Sequence, residues 1–362
     1  MRRLIYLGLA LCVAACGPAA TVVGPSATAH PTMAAAAAPG PTSSVNDAEE
    51  AALGPGGLTL RQEIGAVMMV GFTGPLTPAI LADWRSHQFG GLIVVPINQN
   101  APDPAAIRRL IQSVRGVMAH PVLTATNQEG GTVCFQETRV PCMAGARQAG
   151  AQGPGAVQSE MTSMSQGLKA LGFDINFAPV ADVWDGVHPF MSERSYGQNP
   201  HAVAQDVSAA VAGIHAAGLY ATAKHFPGQG MAGDLIPFRA AVAAHVDFVM
   251  IGHLNVPGLD ASAPANMSAS GVQLLRTQLG YPGIIISDDL QMGALSPEFP
   301  PPAAAVRFLT NGGDMVIVSH EIAVADATYD AIHQAVLGGI YPRTQLDASV
   351  QRLLSLGLRY MP

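Results

Sequence analysis

Lys224-His225-Phe226-Pro227-Gly228-Gln229-Gly230 and, downstream, Ser287-Asp288-Asp289-Leu290 place a cation, an imidazole and carboxylates directly behind apolar runs. Those runs, residues 219–223 and 284–286, are continuous enough to be buried strands. A cation and an imidazole donate directional hydrogen bonds and a carboxylate accepts them, so the set suits a polyhydroxylated ligand. Polar side chains that emerge where a buried strand stops are also where an α/β barrel keeps its chemistry.

The positioning elements follow from the rest of the pattern. Apolar runs at 66–72, 91–96, 121–126, 175–180, 219–223, 248–252, 283–286 and 314–318 predict eight strands. Their unbroken apolar character implies burial on both faces and therefore parallel pairing. Helical spacing fills 104–120, 155–171, 201–217, 270–279, 303–310 and 323–337. Eight β/α units predict an α/β chain with a single (β/α)8 barrel of the TIM type. The alternative, a doubly wound open sheet, would carry a Gly-rich phosphate loop after its first strand, and Val70-Gly71-Phe72-Thr73-Gly74 is not one.

In such a barrel the residues just past each strand share one mouth. Asn127-Gln128-Glu129-Gly130-Gly131 follows the third strand, and Asp182 and Glu193-Arg194-Ser195-Tyr196-Gly197 follow the fourth. Lys224 and His225 follow the fifth, His253 the sixth, Asp288 the seventh and His320 the eighth. Together with Phe177-Ala178-Pro179-Val180-Ala181-Asp182, these motifs resemble glycoside hydrolase family 3, and in particular its single-domain bacterial β-N-acetylhexosaminidases. The resemblance runs over about residues 58–358 and keeps several motifs in order.

The resemblance implies a retaining hydrolase of β-linked N-acetylhexosamine glycans, such as muropeptides or chitooligosaccharides, with Asp288 as nucleophile. A carboxylate suits that position because it can capture an oxocarbenium-like anomeric carbon as a covalent ester. Arg194, Lys224, His225, Asn127 and His253 fall at substrate-binding positions, and Glu129 and Asp182 read as structural hydrogen-bonders. Three departures from the family pattern stand out. The loop after the fifth strand lacks the family's Asp-x-His acid/base, leaving Gly230-Met231-Ala232-Gly233-Asp234-Leu235-Ile236 with Asp234 as the stand-in acid. Asn127 replaces an aspartate, which weakens a hydroxyl contact by ~1 kcal/mol. Thr132 replaces an arginine. The rival reading is a glycan-binding lipoprotein that keeps the pocket without the chemistry.

The amino terminus points to export. Arg2-Arg3 precedes an apolar run over 4–15, then Cys16, in the pattern of a lipoprotein signal peptide of residues 1–15. Lipidation at Cys16 would anchor the chain at the outer face of the bacterial cytoplasmic membrane. Residues 16–57, rich in Ala, Pro, Ser and Thr, read as a flexible linker to a barrel over 58–362. Cys134 and Cys142 are expected to pair in that oxidising compartment. A net charge of −7 argues against nucleic acid. The histidines lack metal-ligand spacing, and no cofactor is implied.

Overall fold

The computed structural model describes residues 48–135, 138–228, 234–256, 258–295 and 298–356. The signal segment 1–15, Cys16 and most of the linker lie outside the described residues. The remainder is a closed, all-parallel barrel in sequential order. Its strands are β1 (Met68–Val70), β2 (Gly91–Ile93), β3 (Leu123–Thr126), β4 (Ile175–Asn176), β5 (Tyr220–Phe226), β6 (Phe248–Ile251), β7 (Ile284–Asp289) and β8 (Met315–Val318). β1 closes the ring on β8 through Met68↔Val316, Met69↔Ile317 and Val70↔Val318.

Each strand is short and almost wholly buried, because side chains on one face fill the barrel and those on the other meet helices. The helix Pro104–Arg115 shows how the outer layer is specified. Asp103 accepts a hydrogen bond from Ala106 N at 2.8 Å, Pro104 occupies the first turn, and Ile107, Leu110, Ile111 and Val114 form its buried stripe. Each such aliphatic side chain contributes about 1.5–3 kcal/mol on burial. Thr77 and Asn199 start the helices Pro78–His87 and Pro200–Ala216 in the same manner.

At the opposite end from the mouth, Asp314 ties the barrel to its outer layer. It accepts from Ile285 N at 2.7 Å and Ser349 Oγ at 3.0 Å, and it pairs with Arg276 and with Arg352. The described part of the predicted linker, 48–57, is also fastened to the barrel. Glu50 Oε1 lies 2.6 Å from His333 Nε2, and Arg343 donates to the Glu49 carbonyl at 3.2 Å.

Candidate active site

The mouth is formed where the strand ladder loses regularity. Among the described residues, two register shifts interrupt the barrel: Ala223 to Phe226 between β5 and β6, and Ile286 to Asp289 between β7 and β8. A shift of this kind re-aims side chains. The residues it re-aims here are Lys224 and His225 in the first case and Ser287 and Asp288 in the second. Gly252 makes room for the first pair, since a Cβ there would stand 2.9 Å from His225 Cβ.

A buried charge cluster holds one wall. Glu129, at the end of β3, takes a bidentate pair from Arg194, with Nε to Oε2 at 2.6 Å and Nη2 to Oε1 at 2.8 Å. Lys224 Nζ lies 2.7 Å from Glu129 Oε1 and donates to Asn127 Oδ1 at 2.8 Å. Burial pushes the Glu129 carboxyl up, but Lys224 and Arg194 outweigh it and hold the group at about 2. Burial likewise lowers Lys224, with Glu129 opposing. Glu129 therefore organises the two cations, while the neutral Asn127 satisfies Lys224 without adding charge.

His225 is fixed by Asp182, whose buried carboxylate accepts from its Nδ1 at 2.8 Å and from its backbone N at 3.2 Å. Its other ring nitrogen faces Arg194 Nη2 at 3.5 Å. His253 is committed on both sides: Nε2 donates to the Asp289 carbonyl at 2.7 Å and Nδ1 accepts from Asn266 Nδ2 at 2.7 Å.

Asp288 and Asp289 divide the work of the β7 end. Asp289 accepts from Ser319 Oγ at 2.6 Å, from Ser319 N at 3.2 Å and from Gln291 N at 3.2 Å. It also faces His320 Nε2 at 3.2 Å, and His320 Nδ1 lies 2.7 Å from Asn98 Oδ1. Hydrogen bonding to Asp289 raises His320 above its ordinary value, so Asp289 and His320 brace the seventh and eighth loops. Asp288 is left half-buried, with Oδ1 accepting from Asp289 N at 2.8 Å and its carboxylate facing the cavity.

These groups line a cavity of about 400 Å³, the size of a small-ligand site. Asn127, Arg194, Lys224, His225, His253 and Asp288 all reach it. A second recess of about 410 Å³ adjoins it through Asn127, Val133, Asp288 and Met292. The disulfide Cys134–Cys142, with Cα atoms 6.2 Å apart, and Thr132 border that recess.

Asp234 is the exception. It is 4% exposed, stands just ahead of the helix Leu235–Ala243, and is absent from the cavity wall. Its carboxyl packs onto Gly228, where an added Cβ would come within 2.7 Å of Asp234 Cγ. The loop between, 229–233, lies outside the described residues. The expected stand-in acid thus packs behind Gly228 and is not among the residues that line the cavity.

Strand-end reasoning also passes over a whole wall. His188, Phe190 and Met191, from the long loop between β4 and the helix Pro200–Ala216, line the cavity, and so do Met292 and Ala294 beyond β7. Arg194 stacks over the Phe190 ring at 4.5 Å. Phe190 nevertheless stays 71% exposed, and Met292 44%. The available signal was the polar-aromatic run Trp184-Asp185-Gly186-Val187-His188-Pro189-Phe190, which ends three residues before the Glu193–Gly197 motif.

Comparison with known proteins identifies the arrangement. Residues 59–234 and 231–356 match the model described as the glycosyl hydrolase family 3 N-terminal domain. A β-hexosaminidase of Stenotrophomonas maltophilia is 30% identical over 312 residues, covering 77% of this chain and 92% of its own. The β-hexosaminidase LpqI of Mycobacterium tuberculosis is 30% identical over 392 residues, 97% and 96% of the two chains. A family 3 β-N-acetylglucosaminidase from Paenibacillus superposes with a TM-score of 0.78 at 32% identity, covering 84% of this chain and 63% of that one. The chain belongs to glycosyl hydrolase family 3.

Proposed function

We propose that this chain hydrolyses β-linked N-acetylhexosamine glycosides by double displacement, with Asp288 as the covalent nucleophile. The carrying observation is the division of labour at the end of β7. Asp289 is bonded into the loop structure, whereas Asp288 presents its carboxylate to the cavity beside Lys224 and Arg194. Attack by Asp288 on the anomeric carbon forms an ester and releases the leaving group, and water then breaks the ester with a second inversion. Lys224, Arg194 and His225 are placed to donate to sugar hydroxyls, and charge-assisted donors of this kind are the stronger ones. Phe190 and Met292 offer apolar surface to a ring face or an N-acetyl methyl group. The names of the relatives support an N-acetylhexosamine substrate.

Muropeptides and chitooligosaccharides are the natural glycans that fit this chemistry. Export and a lipid anchor at Cys16 rest on the sequence pattern around that residue, and the Cys134–Cys142 disulfide is in keeping with an oxidising compartment. Cys16→Ala should then move the chain from the membrane fraction to the soluble one.

The catalytic reading is tested with an aryl β-N-acetylglucosaminide and with chitobiose, comparing wild type and Asp288→Asn. Turnover by the wild type that vanishes in the variant is the expected result. Saturable binding of N-acetylglucosamine oligomers without any turnover would instead mark a glycan-binding protein.

A further inference from the structure

A retaining glycosidase needs a proton donor for its leaving group and, in the second step, a base for water. Residues 229–233, Gln-Gly-Met-Ala-Gly, carry no titratable side chain, and Asp234 is buried behind Gly228. Four imidazoles line the two joined recesses: His188, His225, His253 and His320. His225 is held by Asp182 through Nδ1, and its Nε2 is engaged by the Arg194 guanidinium at 3.5 Å. His253 spends both nitrogens on Asp289 and Asn266, and His320 spends both on Asn98 and Asp289. His188 differs from all three. Its Nδ1 pairs with Asp185 Oδ2, and among the described residues its Nε2 has no hydrogen-bond partner.

The pair is built into its loop. Asp185 Oδ1 accepts from Val187 N at 2.8 Å and His188 N at 3.0 Å, which leaves Oδ2 for the imidazole. Trp184 donates from Nε1 to the His188 carbonyl at 3.0 Å, and its backbone N donates to Gly197 at 2.9 Å. Arg147 stacks on the Trp184 ring at 4.2 Å. The backbone donors His188 N and Val187 N, with the imidazole, hold the Asp185 carboxyl at about 2, so it is an anion across the working range of the protein. A fixed carboxylate on Nδ1 sets the tautomer and the orientation of the ring, leaving Nε2 as the atom that gives or takes a proton.

We infer that the Asp185–His188 pair is the acid/base of this chain, supplied by the loop after β4 rather than by the loop after β5. This rests on the reading of Asp288 as nucleophile. In the first step Asp288 forms a bond to C1 as the C1–O glycosidic bond breaks, and the His188 Nε2 proton passes to the departing oxygen. In the second step water attacks C1, its proton passes to Nε2, and the bond to Asp288 breaks to restore the carboxylate. His188 is the group that touches the leaving oxygen; Asp185 is a positioning residue. The 69% exposed His188 side chain stands at the rim, where a leaving group of any length can extend into solvent.

The test is His188→Ala and Asp185→Asn, each assayed on chitobiose and on a dinitrophenyl β-N-acetylglucosaminide, with and without sodium azide. For His188→Ala the expected loss on chitobiose is ~10²–10⁴-fold, the usual worth of a general acid. The dinitrophenyl substrate needs no proton to leave, so it should form the glycosyl-enzyme at near the wild-type rate. Azide, which attacks without base assistance, should then restore its turnover and yield the β-glycosyl azide. Asp185→Asn should show the same dependence on leaving group with a smaller loss. Wild-type turnover of chitobiose by His188→Ala would overturn the inference, and so would an equal loss on both substrates with no azide product. A wild-type chain with no turnover on either substrate would overturn the Asp288 reading and this one together.

Discussion

Replacing Glu129 by Gln removes one charge from the wall of the site while keeping the side chain's shape. Glu129 is 3% exposed and is the shared anion of Arg194 and Lys224, through contacts of 2.6, 2.8 and 2.7 Å. The interval between its ordinary 4.5 and its held value of about 2 is worth about 3 kcal/mol, at ~1.4 kcal/mol per tenfold. The sign follows from the direction of the shift. A carboxyl held low in the folded state stabilises the protein above its unfolded value, and that contribution is lost as pH falls through the folded value. At pH 7 the variant should therefore unfold about 3 kcal/mol more easily, the lower end of what breaking a buried ion pair costs. With a urea slope of ~3 kcal/mol/M for a domain of this size, the midpoint should drop by about 1 M. By pH 3 the unfolded chain binds the proton that folded Glu129 still refuses, and the difference should shrink by about 2 kcal/mol. Urea titrations of both proteins at pH 7 and pH 3, followed by far-ultraviolet circular dichroism, give the comparison. Equal midpoints at pH 7, or a gap that widens on acidification, would refute the reasoning.

Two further outcomes follow from the same geometry. Lys224→Met should lower kcat/KM on an aryl N-acetylglucosaminide by ~10–150-fold, the equivalent of one charge-assisted hydrogen bond of about 1.5–3 kcal/mol, as read in steady-state assays. Asp314→Ala, at the far end of the barrel, should destabilise by ~3–5 kcal/mol, because Arg276, Arg352, Ile285 N and Ser349 lose a common acceptor. Thermal unfolding should show that loss, while KM of whatever folds stays at the wild-type value.

The barrel was legible in the chain because its strands lie in largely apolar runs buried on both faces. Their ends were less so, and for reasons that bear on the site. A reading by apolar character stops β5 at 223 and β7 at 286, yet the ladder continues to Phe226 and to Asp289. Lys224, His225 and Asp288 stay in bulged strand because they face the mouth, where polar side chains belong. β4 ends early, at Asn176 rather than 180, since Pro179 has no N–H to give the ladder. The helix Leu235–Ala243 escaped notice because Pro237 sits in its first turn, a place where proline is tolerated.

The strand-end motifs led to Asn127, Arg194, Lys224, His225, His253 and Asp288, and the structure gathers all six around one cavity. Spacing could not reveal the wall built by His188, Phe190 and Met191. Those residues sit in a loop with no periodicity, and Asp185 and His188 become a pair only through the turn that folds Asp185 onto two backbone N–H groups. Nor could it show that Asp234 packs onto Gly228, since that depends on how the chain enters the next helix.

The central claim is that Asp288 becomes covalently glycosylated. It is tested most directly by incubating the protein with a fluorinated N-acetylglucosaminide whose activated leaving group makes the first step fast and the second slow. Intact mass followed by peptide mapping should find one sugar per chain, on the peptide carrying Asp288 and on that residue. Turnover of the compound with the sugar attached to another residue, or with no adduct while product accumulates, would contradict it.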